Sequence, residues 1–339
     1  MKPTRVLIAH NRVADDADLS TLDVLDQVVL VQEGLEELGV PSEVVAVDDH
    51  RVWEVVRPRP NTVVFNLVEA PPGSPQLQSA AAAVLELLGV PFTGSRAGTM
   101  WLTTDKLATR AVLASSGLPV APGGRLWSDD TRILDTVPSP WIIKPGWEDA
   151  SIGLDGSPVC FTREQAVARA RDLERRFVGQ PLVLEHFLPG REFNVAVLAN
   201  GADAQVLPVA EMAFIDFPPD VPALISYEGK WLVGSFADEH TQRRFPTDEE
   251  DGDLLTLVRA LARRAWKVCD LSGYARVDMR LDEQGTPRIL EVNANPCLSA
   301  EAGYVIAASN AGLTPGMLVD RILQAAMRVE SQADEAVAV

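Results

Sequence analysis

The sequence predicts an α/β protein whose C-terminal half turns to an α+β arrangement. Three observations predict it. In the first 98 residues short apolar runs alternate with stretches of helical periodicity, the pattern of a parallel layer of strands and helices. From residue 181 onward, segments of alternating polarity are separated by turn residues, the pattern of paired antiparallel strands. The length, 339 residues, exceeds one ordinary core and implies two or three domains.

Composition narrows the function classes. Hydrophobic residues at 47% and charged residues at 23% are those of a globular chain. A net charge of −18 argues against a nucleic-acid partner, because binding that polymer relies on Lys and Arg against phosphates. Anionic substrates therefore need local basic groups. No apolar run approaches a membrane span and residues 1–9 lack a signal-peptide pattern, so the expected location is the cytoplasm, with no membrane partner. Cys160, Cys269 and Cys297 are scattered and suit a reducing compartment; they form neither a disulfide framework nor a zinc motif.

Residues 5–9 (R-V-L-I-A) read as a buried strand, 23–38 as a helix ended by Gly39 and Pro41, 42–47 and 61–67 as further strands, and 76–88 as an alanine-rich helix. Ligands of such layers sit beyond the carboxyl ends of the strands, which marks the 69–78 loop as a substrate region or as an ordinary Pro-rich connection. No G-x-G-x-x-G follows the first strand, so a dinucleotide fingerprint is absent. The small residues at 94–98 suit a domain boundary. A helix then runs to Ser115, with Thr104 or Thr103 as the expected N-cap. Residues 141–145 form a strand that ends at Lys144, followed by a loop through Ala150, Ser151 and Gly153. Its backbone N–H groups suit phosphate oxygens, and a plain surface turn explains it as well. Residues 162–177 read as a solvated amphipathic helix. Residues 181–198 read as strand, bend, strand, with Glu185 and Glu192 able to serve a nucleotide or simply to face solvent. Residues 227–231 belong to a less regular stretch, 254–271 form a helix, and 300–311 and 315–329 form two more.

Residues 274–281 alternate, which puts Arg276, Asp278 and Arg280 on one face and Ala275, Val277, Met279 and Leu281 in a core. After the turn at 282–285, strict alternation in a second strand puts Ile289, Glu291 and Asn293 together, level with Asp278. Two carboxylates and an amide oxygen then converge, a set that suits a hard divalent cation; a solvated hairpin face is the plain alternative. Asn295-Pro296 breaks the strand where those oxygens end.

The order of motifs resembles the ATP-grasp enzymes, and within them the D-alanine–D-alanine ligase type. The matching pieces are V-P-F-T-G-S (90–95), Lys106, I-I-K-P (142–145) with A-S-I-G (150–153), L-V-L-E-H-F-L-P-G-R-E-F (182–193), R-V-D-M-R-L-D (276–282) and I-L-E-V-N-A-N-P (289–296), spanning roughly residues 61–315. The resemblance implies an N-terminal parallel α/β domain (1–98), a central ATP-grasp subdomain (99–182), a C-terminal ATP-grasp subdomain (183–330) and a disordered tail (331–339), with ATP clasped between two antiparallel sheets. It further implies that Lys106 and Lys144 contact the nucleotide phosphates, that the loop holding Ser151 and Gly153 covers them, and that Glu185, Leu188 and Glu192 hold adenosine. Asp278, Glu291 and Asn293 are the implied ligands of two magnesium ions, and Arg276, with Lys144 and Ser151, is the implied catalytic group.

Departures from the family pattern gather at the substrate end. Val68-Glu69-Ala70 replaces a His-Gly, Ala150-Ser151 replaces Ser-Ser, Trp231 follows Lys230 where Tyr is usual, and Cys297 follows Pro296 where Gly is usual, leaving Ser299 out of step. Glu69, Lys230, Trp231 and Ser299 are the substrate candidates, and Asp18, Asp23 and Asp26 are candidates for holding the first substrate's ammonium. The expected enzyme is an ATP- and magnesium-dependent ligase joining the carboxylate of one amino acid or small acid to the amine of another through an acyl phosphate, with a homodimer as the expected assembly. D-alanine–D-alanine ligase proper and a non-catalytic ATP-binding regulatory protein stand beside it.

Overall fold

A computed structural model describes residues 3–14, 19–47, 61–71, 74–201, 203–218, 221–232 and 234–337. β1 (Arg5–Asn11), β2 (Ser42–Val47) and β3 (Thr62–Leu67) form a parallel sheet in the order β2-β1-β3. Both faces are covered. Val6 and Ile8 pack toward the helices Leu19–Leu38 and Pro315–Val337, while Leu7 and Ala9 pack toward the helix Ala80–Leu87. That two-sided burial is why β1 and β3 read as continuous apolar runs.

β4 (Gly123–Leu126), β5 (Trp141–Pro145), β6 (Val159–Cys160) and β7 (Leu182–His186) form an antiparallel sheet in the order β4-β7-β5-β6. Its separate core, built around Ile143, Leu182 and Leu184, is closed by the helix Arg163–Arg176. Thr162 and Gln165 start that helix with a capping box, satisfying two of its free N–H groups. Because β7 pairs with both β4 and β5, this sheet continues to His186, past the expected division at 182/183.

The largest sheet contains β8 (Glu192–Asn200), β9 (Asp203–Val206), β10 (Ala210–Phe214), β11 (Thr241–Arg244), β12 (Tyr274–Leu281) and β13 (Pro287–Asn293). Its order is β11-β10-β8-β12-β13, with β9 paired to β8. Val195, Val197, Ala275, Val277 and Met279 line one face and bury against the helix Asp248–Val268. On the other face Ala196, Leu198 and Tyr274 are core beneath the N-terminal layer, and from Arg276 onward the same face turns polar. One strand face thus changes from core to site within two residues.

Several elements differ from expectation. The helix Lys106–Ser115 is capped by Asp105, whose carboxylate accepts from the N–H groups of Leu107 and Ala108; Thr103 and Thr104 belong to the preceding helix Ala97–Thr104. A carboxylate one residue later fills the same capping role, and composition alone does not separate the two. The expected helix at 76–88 is a short 3-10 turn followed by Ala80–Leu87. Tyr227–Trp231 is a short helix, capped by Ser226, in place of an irregular stretch. The last helix continues to Val337, across most of the segment expected as a disordered tail. Among the described residues no helix is long and apolar enough to cross a membrane.

Candidate active site

The site begins at the β12–β13 ladder. Arg276 pairs with Asn293 and Asp278 with Glu291; immediately beyond, the register slips so that Met279 pairs with Ile289 and Arg280 with Arg288. Leu290 is the extra residue of a β-bulge. Strict alternation had grouped Ile289 with Glu291 and Asn293; the bulge instead sends Ile289 into the core beside Met279.

On the polar face Arg276 donates two hydrogen bonds to Asp278, Nε to Oδ1 and Nη2 to Oδ2, both at 2.7 Å. Its Nη2 also lies 3.9 Å from Glu291. Lys106 Nζ is buried and reaches the Glu148 carbonyl at 2.6 Å, Asp149 at 2.9 Å and Glu291 at 3.6 Å. Burial alone lowers an ammonium pKa, but Asp149 and Glu291 outweigh it and hold Lys106 charged. Glu291 is half-buried; desolvation pushes its carboxyl up, yet Lys106, Lys144 and Arg276 outweigh that and keep it below the usual range. Asp278 moves the other way: burial raises it, and the neighbouring Glu291 charge adds to the rise despite Arg276.

This donor set is all oxygen and suits a hard cation that takes one or two protein carboxylates. The positive charge it needs is supplied by Arg276 and Lys106. Among the described residues no three His, Cys, Asp or Glu side chains form a ready metal cage, so an ion at Asp278, Glu291 and Asn293 would complete its shell with phosphate oxygens and water.

Lys144 Nζ lies 2.9 Å from Glu185 Oε2, and Arg110 lies 3.4 Å from Oε1. The Lys144 contact is an ion pair without hydrogen-bond geometry, leaving that buried oxygen a free acceptor of the kind a nucleotide edge fills. Glu185, Lys106 and Glu291 share a narrow crevice. Leu188 and Glu192 are buried beside it in sequence; Glu192 is paired to Arg280 at 3.1 Å, and burial raises its carboxyl against that pull.

The loop after β5 is held in an unusual shape. Ala150 and Ser151 both have left-handed φ, 54° and 63°, and Gly153 has φ 80°. A Cβ on Gly153 would sit 2.6 Å from Pro145 Cδ, so only glycine fits. The Ser151 hydroxyl donates to the Ile225 carbonyl at 2.9 Å, and Trp231 Nε1 donates to the Ala150 carbonyl at 3.2 Å. These two bonds fasten the loop to the short helix Tyr227–Trp231.

Next to the ladder lies a cavity of about 440 Å³. Its walls come from all three sheets: Asn11 and Glu69 beyond β1 and β3, Asp149 and Ala150 after β5, and Arg276 and Asn293 from β12 and β13. Lys230 and Trp231 line it, and burial lowers the Lys230 ammonium. Ser299 lies behind Cys297, its N–H 3.2 Å from the Cys297 sulfur. Asp23 also lines the cavity and accepts from the Cys297 thiol at 2.7 Å, whereas Asp26 is exposed on the same helix and Asp18 lies outside the described residues. Sequence reasoning did not single out Asn11 or Gln27 as neighbours of the substrate candidates, and it noted Cys297 without its link to Asp23. Only the spacing of Asp23 and Gln27, four apart on one helix face, hinted at them.

Comparisons with known proteins bear on the family and the fold. The family model described as "D-ala D-ala ligase C-terminus" matches residues 114–324. A Sinorhizobium fredii protein described as uncharacterized protein y4sG is 34% identical over 270 residues, 80% of this chain and 76% of its own. The D-alanine–D-alanine ligase of Bordetella avium is 31% identical over 72% of both chains, and that of Gluconobacter oxydans is 32% identical over 78% of this chain and 80% of its own. Among solved structures, the D-alanine–D-alanine ligase of Bacillus anthracis complexed with ATP superposes with a TM-score of 0.75 at 18% identity, covering 98% of this chain and 100% of the other. That likeness shows the fold. The chain belongs to the D-alanine–D-alanine ligase family and is an ATP-grasp enzyme of the C–N ligase class.

Proposed function

We propose that the protein uses ATP and magnesium to join the carboxylate of one amino acid or small acid to the amine of a second. The observation that carries this reading is the Asp278–Glu291 pair on the ladder beside Arg276, with Lys106 bound to Glu291 at the edge of one cavity. Lys106 and Lys144 hold the nucleotide phosphates, backbone N–H groups of the 150–153 loop cover them, and Glu185, Leu188 and Glu192 hold adenosine. Asp278, Glu291 and Asn293 would hold magnesium, which would supply neutralisation of phosphate charge. The substrate carboxylate attacks the γ-phosphorus, the bond to ADP breaks, and an acyl phosphate forms. Arg276 stabilises the charge on the transferring group and on the oxyanion that appears when the amine attacks. Phosphate then leaves. No protein nucleophile is required, since positioning and charge neutralisation carry phosphoryl transfer.

Glu69, Lys230 and Trp231 stand at the substrate end, with Ser299 acting through Cys297. Incubation with ATP, magnesium and pairs drawn from a panel of D- and L-amino acids, read by ADP release and product mass, tests the reading. Absence of ADP formation with every pair would sink it. A product confined to D-alanyl-D-alanine would favour the narrower activity named for the Bordetella and Gluconobacter relatives.

A further inference from the structure

Amide formation needs an unprotonated amine, and an amino-acid amine arrives at neutral pH as an ammonium. Some group must take its proton inside the cavity. Among the described residues five carboxylates line that space: Asp23, Glu69, Glu148, Asp149 and Glu291. Asp149 and Glu291 are bound by Lys106, Glu148 Oε1 accepts from Gln180 at 2.6 Å, and Asp23 accepts from the Cys297 thiol. Among the described residues Glu69 is the one of the five whose carboxylate makes neither an ion pair nor a direct hydrogen bond, with the neutral amide of Gln27 nearby.

Its placement is fixed from behind. The Asn11 side chain accepts from the Glu69 N–H at 2.6 Å and donates to the Glu69 carbonyl at 3.1 Å, while Gln78 accepts from the Ala70 N–H at 2.6 Å. The residue is therefore clamped where β3 ends, with its side chain open to the cavity. We propose that Glu69 accepts the proton of the attacking ammonium. This assignment rests on the ligase reading above.

The step balances. The ammonium gives one proton to the Glu69 carboxylate, and the freed amine forms the C–N bond as the acyl C–O bond to phosphate breaks. The second nitrogen proton leaves with the phosphate as hydrogen phosphate, and Glu69 returns its proton to solvent. Its surroundings support the role: the residue is exposed to the cavity, and the carboxyl is pushed up to about 7, first by desolvation among the cavity walls and then by Asp23 and Asp149, against Lys230 and the Gln27 amide. Tyr274, on β12, lies near it, and Arg12, after β1, Glu148, Arg276, Glu291 and Cys297 are the further titratable or charged groups of the cavity. Tyr274 is itself raised by burial and stays neutral.

The test compares nucleophiles. Wild-type protein is given ATP, magnesium, a panel of D- and L-amino acids as acyl donors, and hydroxylamine, which is neutral at pH 7 and traps the acyl phosphate as a hydroxamate. The best acid is then paired with amino-acid amines in wild type and in Glu69→Gln. The expected result is a loss of about 100-fold or more in amide formation for Glu69→Gln at pH 7, exceeding any loss in hydroxamate formation by at least about 30-fold. The wild-type amide reaction gains an acidic limb near pH 7 that the variant lacks. Equal losses with both nucleophiles, or an unchanged acidic limb, would overturn the role of Glu69. Absence of hydroxamate with every acid would overturn the ligase reading itself.

Discussion

Asp278 stands opposite Glu291 across the β12–β13 ladder, and the bulge at Leu290 begins immediately beyond that pair. The pair therefore closes the regular, polar part of the ladder while Met279 and Ile289 continue it as core. Asp278→Asn and Glu291→Gln are each expected to lower ligation by at least about 100-fold, because each would remove an anionic ligand of the magnesium that neutralises the phosphate oxygens. Circular dichroism should report an unchanged fold. Near-wild-type turnover in both variants would exclude them as metal ligands.

Glu69 gives a stability prediction independent of any substrate. Its folded pKa, about 7, lies above the ordinary carboxyl value of 4.5, so the native state binds more protons than the unfolded state between those values. Stability conferred by the protonated form is full below pH 4.5 and is lost as pH rises through 7. Glu69→Gln removes the dependence. Thermal melts should show the variant gaining on wild type by roughly 1–2 °C between pH 5 and pH 8, a modest shift because the cavity admits solvent. A gain that shrinks with rising pH would reverse the sign of this argument.

Gly153→Ala places a methyl 2.6 Å from Pro145 Cδ at a φ of 80°. The cost is about 1–3 kcal/mol, and relief requires the 150–153 loop to move. Both a lower Tm and a higher KM for ATP are expected. An unchanged KM with a lowered Tm would separate the loop from nucleotide binding.

Ser151→Ala and Trp231→Phe each remove one of the two bonds between the loop and the segment 225–231. Each is worth about 1 kcal/mol. Limited proteolysis should show faster cleavage near the helix Tyr227–Trp231 in either variant, with the double variant departing from additivity because the two bonds fasten the same pair of segments. Additive effects would mean that the bonds act independently.

Much of the fold was legible because its signals are local. The apolar runs of β1 and β3, the alternation of β12 and the capping box at Thr162 are consequences of burial or backbone satisfaction within a few residues. The grouping of Arg276 with Asp278 was equally legible, since residues two apart on a strand share a face. Ile289 was misplaced because a bulge leaves no mark in an apolar–polar pattern. The cap at Asp105 was missed because three consecutive residues there all have capping chemistry.

By itself the sequence determined the strand–helix alternation, the facing carboxylates of Asp278 and Glu291 and the ordered motifs that place this chain among ATP-grasp ligases. Tertiary structure alone decided which residues meet across large separations: Cys297 with Asp23, Lys106 with Asp149 and Glu291, and Trp231 with Ala150. It also decided that, among the described cavity carboxylates, Glu69 is left without an ion pair or a direct hydrogen bond. The reason is physical. Periodicity reports which face of an element is buried, whereas the charge and proton affinity of a group depend on neighbours brought by other elements, and these have no fixed spacing in the chain.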